Sequence, residues 1–261
     1  MADFSGYILR KNIPQQKTVI QFTHKVREYL FPILNDLCTF KEEQAILLRA
    51  IELELQKIVN DICSYCPCDA KNVTSKFIES LPEIRQNLIE DATAILETDP
   101  ASYSLEEIII TYPGFSAIMA YRIAHQLYLL KLAIVPRIIT EWAHSKTGID
   151  INPGATIDTP CIIDHGTGIV IGETTIIGKN VRIYQGVTLG ALAVEKKEKD
   201  KRHPTIEDNV ILYANCTILG GDTVIGHDAV IGGNCFITQS VPPNSIARHE
   251  ANISVRKIFD K

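Results

Sequence analysis

The stretch INPGATIDTPCIIDHGTGIVIGETTIIGKNVRIYQGVTLG, Ile151 to Gly190, decides the fold. Counting in sixes from its first residue gives Ile151, Ile157, Ile163, Ile169, Thr175, Val181 and Val187, all β-branched and all but Thr175 apolar. The count breaks across Leu189–Thr205 and resumes as Ile206, Leu212, Ile218, Val224, Val230 and Phe236. Neither the two-residue alternation of a half-buried strand nor the 3.6-residue period of a helix produces such a series. A six-residue repeat predicts a parallel β-helix. Each unit supplies one short strand, about three units close a triangular coil, and the inward aliphatics stack from coil to coil. Gly178, Asn180, Gly226, Gly232, Gly233 and Asn234 are expected at the corners, where the chain needs turn conformations.

Upstream of this region the pattern is helical. KEEQAILLRAIELELQKIVNDI places Ile46, Ala50, Leu53 and Ile58 near one face, with charges opposite. Lys71–Glu97 repeats the pattern, and Ser104-x-x-Glu107 reads as a capping box. Pro113-Gly114 precedes a helix that carries Tyr121, Arg122 and His125. A last helix around Ile138–His144 ends at Gly148. The expected organisation is an all-helical domain over residues 1–148, a β-helix over 149–243 with a loop at 190–205, and a short tail over 244–261.

Composition narrows the function classes. Apolar residues make up 46% and charged residues 22% of the 261, so the chain is globular rather than disordered. A net charge of −5 argues against a nucleic-acid partner. The apolar run Leu127–Val135 contains Lys131 and is too short to span a bilayer, and MADFSGYILRK lacks a signal-peptide core. A cytoplasmic location without membrane attachment is expected. Seven cysteines at irregular spacings fit free thiols in a reducing compartment better than a disulfide framework. Cys63-x-x-Cys66-x-Cys68 offers three thiols without an evident fourth ligand and reads as a Pro-containing break between helices, so no metal site is expected.

The break in the repeat is a charged excursion, AVEKKEKDKRHP, ejected from the coil stack. Most charge runs are solvated loops, but loops on a rigid scaffold also collect binding residues. Asp164-His165-Gly166-Thr167-Gly168 sits at a coil corner. There His165 suits either a structural hydrogen bond or a general base whose tautomer a carboxylate fixes. Asp164 beside it and Asp150, about one coil earlier, are both candidates, and spacing does not choose between them. Arg202-His203-Pro204 closes the loop, and an Arg there is either a surface residue or a bidentate grip on a carboxylate. Asp99-Pro100-Ala101 ends a helical stretch, as Asp before Pro often does.

Taken together, Asp99-Pro100-Ala101, Tyr121-Arg122-Ile123-Ala124-His125, Gly148–Ala155, Asp164–Val170, Gly186-Val187-Thr188-Leu189-Gly190 and Arg202-His203-Pro204 resemble the serine O-acetyltransferases in order and spacing, from about residue 80 to 243. The resemblance implies a left-handed β-helix and transfer of acetyl from acetyl-CoA to the hydroxyl of L-serine, for cysteine biosynthesis. It implies His165 as general base with Asp150 supporting it. Asp99, with Pro100 and Ala101, and Asp164 would hold the substrate ammonium, while Arg202 takes the carboxylate and His203 assists. Backbone groups of Gly190 and Ala191 would serve the cofactor or the oxyanion, and Ala214 would touch CoA. It further implies a homotrimer or a dimer of trimers, inhibition by cysteine, and acetyl-CoA as cosubstrate with no permanently bound cofactor.

Four stretches depart from the family pattern. Ala191–Lys201 is rich in Lys and Glu where glycines are usual, Leu212-Tyr213-Ala214-Asn215 replaces a Gly-containing turn, and Ala247–Ala251 replaces a Gly-x-Pro-Ala. The sequence closes on Phe259-Asp260-Lys261 without the terminal Ile by which relatives bind cysteine synthase, so no stable complex of that kind is expected. Other acceptors such as homoserine, a non-catalytic scaffold subunit, and a zinc enzyme built on His165, His203 and His227 are the alternative readings.

Overall fold

The computed structural model describes residues 13–35, 41–62, 69–192 and 201–250. Helices α1 (Gln16–Leu30), α2 (Lys41–Ile62), α3 (Ala70–Thr98), α4 (Leu105–Thr111), α5 (Pro113–Leu129) and α6 (Val135–Thr147) come first, with a 3₁₀ turn at Pro32–Leu34. Among the described residues, no helix is long and apolar enough to cross a membrane. Asp69 caps α3 by accepting the Lys71 and Asn72 amides, and α6 ends on Gly148 at φ +70°. Ser104 caps α4 as expected, its Oγ accepting the Glu107 amide, while the Glu107 carboxylate reaches one residue past the cap to the Tyr103 amide.

The buried face of α2 differs from the expected one. Ile51, Leu55, Ile58, Val59 and Ile62 are buried, whereas Ile46 and Leu53 are exposed. Apolar residues cover more than one face of α2, and its packing between α1 and α3 selects the side that is buried.

The strands are β1 (Asp150–Ile151), β2 (Thr156–Ile157), β3 (Cys161–Ile163), β4 (Val170–Ile171), β5 (Ile176–Ile177), β6 (Val181–Ile183), β7 (Thr188–Gly190), β8 (Thr205–Ile206), β9 (Ile211–Leu212), β10 (Thr217–Leu219), β11 (Val224–Ile225), β12 (Val230–Ile231), β13 (Phe236–Ile237) and β14 (Ile246–Ala247). They form three parallel sheets, β1-β4-β7-β10-β13, β2-β5-β8-β11 and β3-β6-β9-β12-β14, wound as a left-handed β-helix. Strand β14 lies beyond residue 243, so the coil stack runs into the segment expected as tail.

Pairing shows where counting in sixes loses register. One inward column runs Ile151, Ile171, Leu189, Ile218, Ile237; a second runs Ile157, Ile177, Ile206, Ile225; a third runs Ile163, Ile183, Leu212, Ile231, Ala247. Ile169, Thr175, Val181 and Val187 are also buried, but they occupy a second inward position, two residues before the column. Two extra residues at the Asp164–Gly168 corner cause that change. Past Ile218 an extra residue at Gly220-Gly221 shifts the chain again. Ile225 and Ile231 are fully buried, while Val224 and Val230 are partly exposed and Phe236 is 69% exposed. In a strand, one residue of slip exchanges the two faces.

The corners match expectation at Asn180 and Asn234, which take left-handed backbone, as do Asn209, Asn215, Asp228, Asn244, His165, Gly166, Gly168, Gly186 and Gly220; Gly178, Gly226, Gly232 and Gly233 do not. Asn and Asp tolerate this region because their short side chains bond locally. Asn180 donates to Asn209 at 3.0 Å and Asn209 to Asp228 at 3.1 Å, making a polar ladder along one corner. Gly178 and Gly226 serve close approach instead: a Cβ there would lie 2.3 Å from Asp208 Oδ1 and 2.4 Å from Pro243 N.

Helices and coils share one hydrophobic core, and α5 makes the joint. The Tyr121 hydroxyl donates to the Ala155 carbonyl at 2.6 Å and accepts the Ile157 amide at 3.2 Å. Arg122 grips Asp91 of α3 through two bonds of 2.7 and 2.8 Å, and Asp91 also accepts the Cys161 amide at 2.9 Å. A Cβ at Gly114 would sit 2.2 Å from the Ile163 carbonyl, so only glycine lets α5 approach β3 this closely. Burial opposes the Arg122 charge, but Asp91 outweighs it and holds the guanidinium protonated.

Candidate active site

One group of candidate residues collects at the corner between β3 and β4. Helix α3 stops at Asp99 because Pro100 follows, and the residue before proline is driven to extended backbone, here φ −103°. Asp99 therefore projects beside the corner that holds Asp164 and His165. The Tyr112 hydroxyl donates to Asp99 Oδ2 at 2.7 Å, and the Ala101 amide donates to Oδ1 at 2.8 Å. Both bonds favour the carboxylate and hold Asp99 below its usual range, Tyr112 contributing most, while Tyr112 itself is pushed up to about 12. Thr98, Asp99, Tyr112, Ile163, Asp164 and Arg182 line a shallow recess there.

His165 adopts φ +56° and is followed by Gly166 at φ +81°. In the coils it is the residue other than Asn, Asp and Gly that takes this conformation, which lifts its ring out of the stack with 72% of the side chain exposed. Its Nε2 lies 3.8 Å from Asp164 Oδ1. Asp150 opens β1, where its amide donates to the Ile169 carbonyl at 2.9 Å and the Gly168 amide donates to Gly148. That pairing brings the strand alongside the His165 corner, but no hydrogen bond joins the two side chains. The Asp150 carboxylate instead lies with Glu141 and His144 of α6, their polar atoms all within 4.8 Å of one another.

A second group forms at the next corner, between β4 and β5, where the excursion returns to the stack. The hydroxyl of Thr174 accepts the amides of Arg202 at 2.9 Å and His203 at 3.1 Å. Nδ1 of His203 lies 2.9 Å from that hydroxyl and accepts the Thr174 amide at 3.1 Å. The Lys201 ammonium donates to the carbonyls of Thr174 and His203. Arg202 pairs with Glu173, and both are well exposed. The His203 ring packs against Gly172, where a Cβ would be 2.0 Å from Cδ2. Burial first, then the Arg202 charge, hold the His203 imidazole below its ordinary range.

Within the described residues of one chain, no hydrogen bond or ion pair links these two groups. Of the cofactor candidates, Gly190 ends β7 and its carbonyl accepts the Gly220 amide at 3.1 Å; Ala191 follows it, partly buried. Ala214 lies at the corner between β9 and β10, beside the stacked pair Tyr184 and Tyr213. These three sit further along the stack than His165. Pro100 is exposed after α3. Two open clefts of about 430 and 450 Å³ include none of the candidate residues. Among the described residues, the group with metal-binding composition is Glu141, His144 and Asp150, not the three histidines His165, His203 and His227. Cys63, Cys66 and Cys68 lie outside the described residues.

Sequence reasoning missed Tyr112 and Thr174. Thr174 stands 29 residues before His203, the pairing offset of the coils that flank the excursion, as in Ile176 with Thr205. Adding the excursion to one coil would have found it. Tyr112 had no such signal.

No family model matches the chain. It is 50% identical over 182 residues to the plasmid serine acetyltransferase of Synechococcus elongatus, covering 67% of this chain and 57% of that protein. It is 44% identical over 179 residues to the serine acetyltransferase of Staphylococcus epidermidis, covering 66% of this chain and 82% of that one. The matched part thus spans under two thirds of the Synechococcus protein and most of the Staphylococcus one. Among solved structures, serine acetyltransferase 1 of Entamoeba histolytica in complex with L-cysteine superposes with a TM-score of 0.79 at 37% identity, covering 86% of this chain and 85% of that chain. Serine acetyltransferases at 28% and 25% identity, with TM-scores of 0.61 and 0.62, were solved with serine and with CoA.

Proposed function

The chain belongs to the serine acetyltransferase family, and on that premise we propose that it transfers the acetyl group of acetyl-CoA to the hydroxyl of L-serine, releasing CoA and O-acetyl-L-serine. The observation that carries this reading is the corner at β3–β4, where Asp99 and Asp164 flank an outward-facing His165. Two carboxylates suit the substrate ammonium, and Asp99 is kept ionised by Tyr112 and Ala101. Arg202, with His203 beside it, suits the carboxylate. His165 removes the hydroxyl proton as the serine oxygen attacks the thioester carbon. The C–S bond of the tetrahedral intermediate then breaks, and the imidazolium returns its proton to the departing CoA sulfur. Asp150, by family resemblance the carboxylate that supports the imidazolium, would turn from Glu141 and His144 of α6 to do so.

The two groups of residues lie at successive corners of one chain without a hydrogen bond or ion pair between them, and in this reading the Arg202 corner of a neighbouring copy faces the His165 corner. A homotrimer of β-helices does this and leaves the acetyl-CoA groove between subunits, near Gly190, Ala191 and Ala214. L-cysteine, bound by the Entamoeba relative, would compete with serine for the same charged groups.

The test is CoA thiol release from acetyl-CoA with serine, homoserine and uncharged hydroxyl acceptors, for wild type and His165→Ala. Serine is expected to be preferred, and the substitution to lower kcat by roughly 10²–10⁴. Preference for another acceptor overturns the substrate, and full turnover by His165→Ala overturns the mechanism.

A further inference from the structure

Thr174 is the point where the returning loop is fastened. Its hydroxyl oxygen accepts two amides, those of Arg202 and His203, and so has its proton free to donate to His203 Nδ1 at 2.9 Å. The Thr174 amide donates to the same nitrogen at 3.1 Å. A backbone N–H cannot reverse its role, so Nδ1 is an acceptor and carries no proton. The imidazole proton of the neutral ring is then on Nε2. The Lys201 ammonium crosses both carbonyls of this contact, and a Cβ at Gly221 would lie 1.9 Å from the Lys201 carbonyl, so the segment is held from the other side as well.

We infer that Thr174 is a positioning residue that locks His203 as a neutral Nε2–H donor and presents it, together with Arg202, to an anionic oxygen of the substrate. The inference rests on the reading of residues 201–203 as the carboxylate side of the serine site. It divides the work of the two histidines. His165 receives no backbone hydrogen bond at its ring among the described residues, whereas His203 holds its proton on Nε2, the nitrogen Thr174 does not touch, and gives a hydrogen bond without changing charge. Protonating His203 at Nδ1 would set its N–H against the Thr174 amide, and burial and Arg202 oppose the same step.

The experiment uses the full chain labelled with ¹⁵N at histidine, as wild type, Thr174→Val and Thr174→Ser, with nitrogen shifts followed through a pH titration and serine kinetics measured in parallel. Wild-type His203 is expected as the Nε2–H form, titrating below an ordinary histidine. Thr174→Val removes the hydroxyl contact but keeps the residue-174 amide on Nδ1, so it is expected to shift the Nδ1 resonance and raise the titration midpoint while the ring stays Nε2–H, and to raise KM for serine by about tenfold with kcat changed only a few-fold. Thr174→Ser is expected to restore all three. A wild-type Nδ1–H tautomer, or a Thr174→Val protein with unchanged shifts and KM, overturns the inference. If the chain does not acetylate serine, the proposed function fails, while the tautomer measurement still decides the role of Thr174. If Thr174→Val does not fold, the wild-type tautomer and the serine variant decide it.

Discussion

At the corner between β3 and β4, His165 stands largely in solvent on left-handed backbone, and its nearest charged partner is 3.8 Å away. At the next corner, between β4 and β5, His203 is buried against Gly172 and receives two hydrogen bonds at one nitrogen. The first corner is completed from outside the stack, by Asp99 at the end of α3 and Tyr112 before α5. The second is completed by the stack's own excursion, folded back on Thr174. A group that must take up and release a proton benefits from freedom at its ring nitrogens, and one that only donates benefits from being fixed.

The contrast can be broken first at its foundation. Asp91→Ala removes the carboxylate that joins α3 to Arg122 and to the Cys161 amide. It leaves a buried guanidinium unpaired, and a loss of about 3–5 kcal/mol in urea unfolding is expected. The helix that delivers Asp99 loses its anchor, while the ¹⁵N signals of His203 should hold in the folded fraction. A cost below about 1 kcal/mol, or movement of His203, would show that the corners are not independently anchored. Next in size, Arg202→Lys at the second corner replaces a planar fork by a point charge. KM for serine should rise by roughly 10–100-fold while kcat stays within a few-fold. An unchanged KM would remove Arg202 from the carboxylate side.

The smallest expected effect sharpens the first corner. Tyr112→Phe deletes the bond that contributes most to holding Asp99 below its usual range. The folded-state pKa of Asp99 then rises toward its ordinary value, so a higher pH is needed to ionise it. The acid limb of kcat/KM for serine should move to higher pH, with KM at neutral pH changed only a few-fold. The linked stability has the same sign: with the pKa depressed, stabilisation is present above the unfolded value and is lost as pH falls through the folded one. An acid limb identical to wild type would detach Asp99 from substrate binding.

Much of the fold could be read from the repeat because stacked aliphatics impose their period directly on sequence. Register was less legible, since an insertion at a corner changes which position faces inward without disturbing the six-residue spacing on either side. Val224, Val230 and Phe236 continue the count and nonetheless face outward. The face of α2 was illegible for a related reason, Ile46 and Ile51 being equally apolar until α1 and α3 choose between them. At the site, Asp99, Asp164, His165, Arg202 and His203 were visible in motifs. Tyr112 and Thr174 were not, because each acts through a partner that only the fold brings near.

Gly220 carries a consequence for which row of the last coils faces inward. Beyond it, two apolar series one residue apart, Ile225 and Ile231 on one side and Val224 and Val230 on the other, are nearly equal candidates for the interior. A shift by one residue would exchange these two rows, since successive residues of a strand face opposite sides. At φ +105°, Gly220 takes a conformation that other residues adopt only under strain. It therefore marks the step at which the finished stack turns the Ile225 and Ile231 row inward rather than the adjacent row of Val224 and Val230.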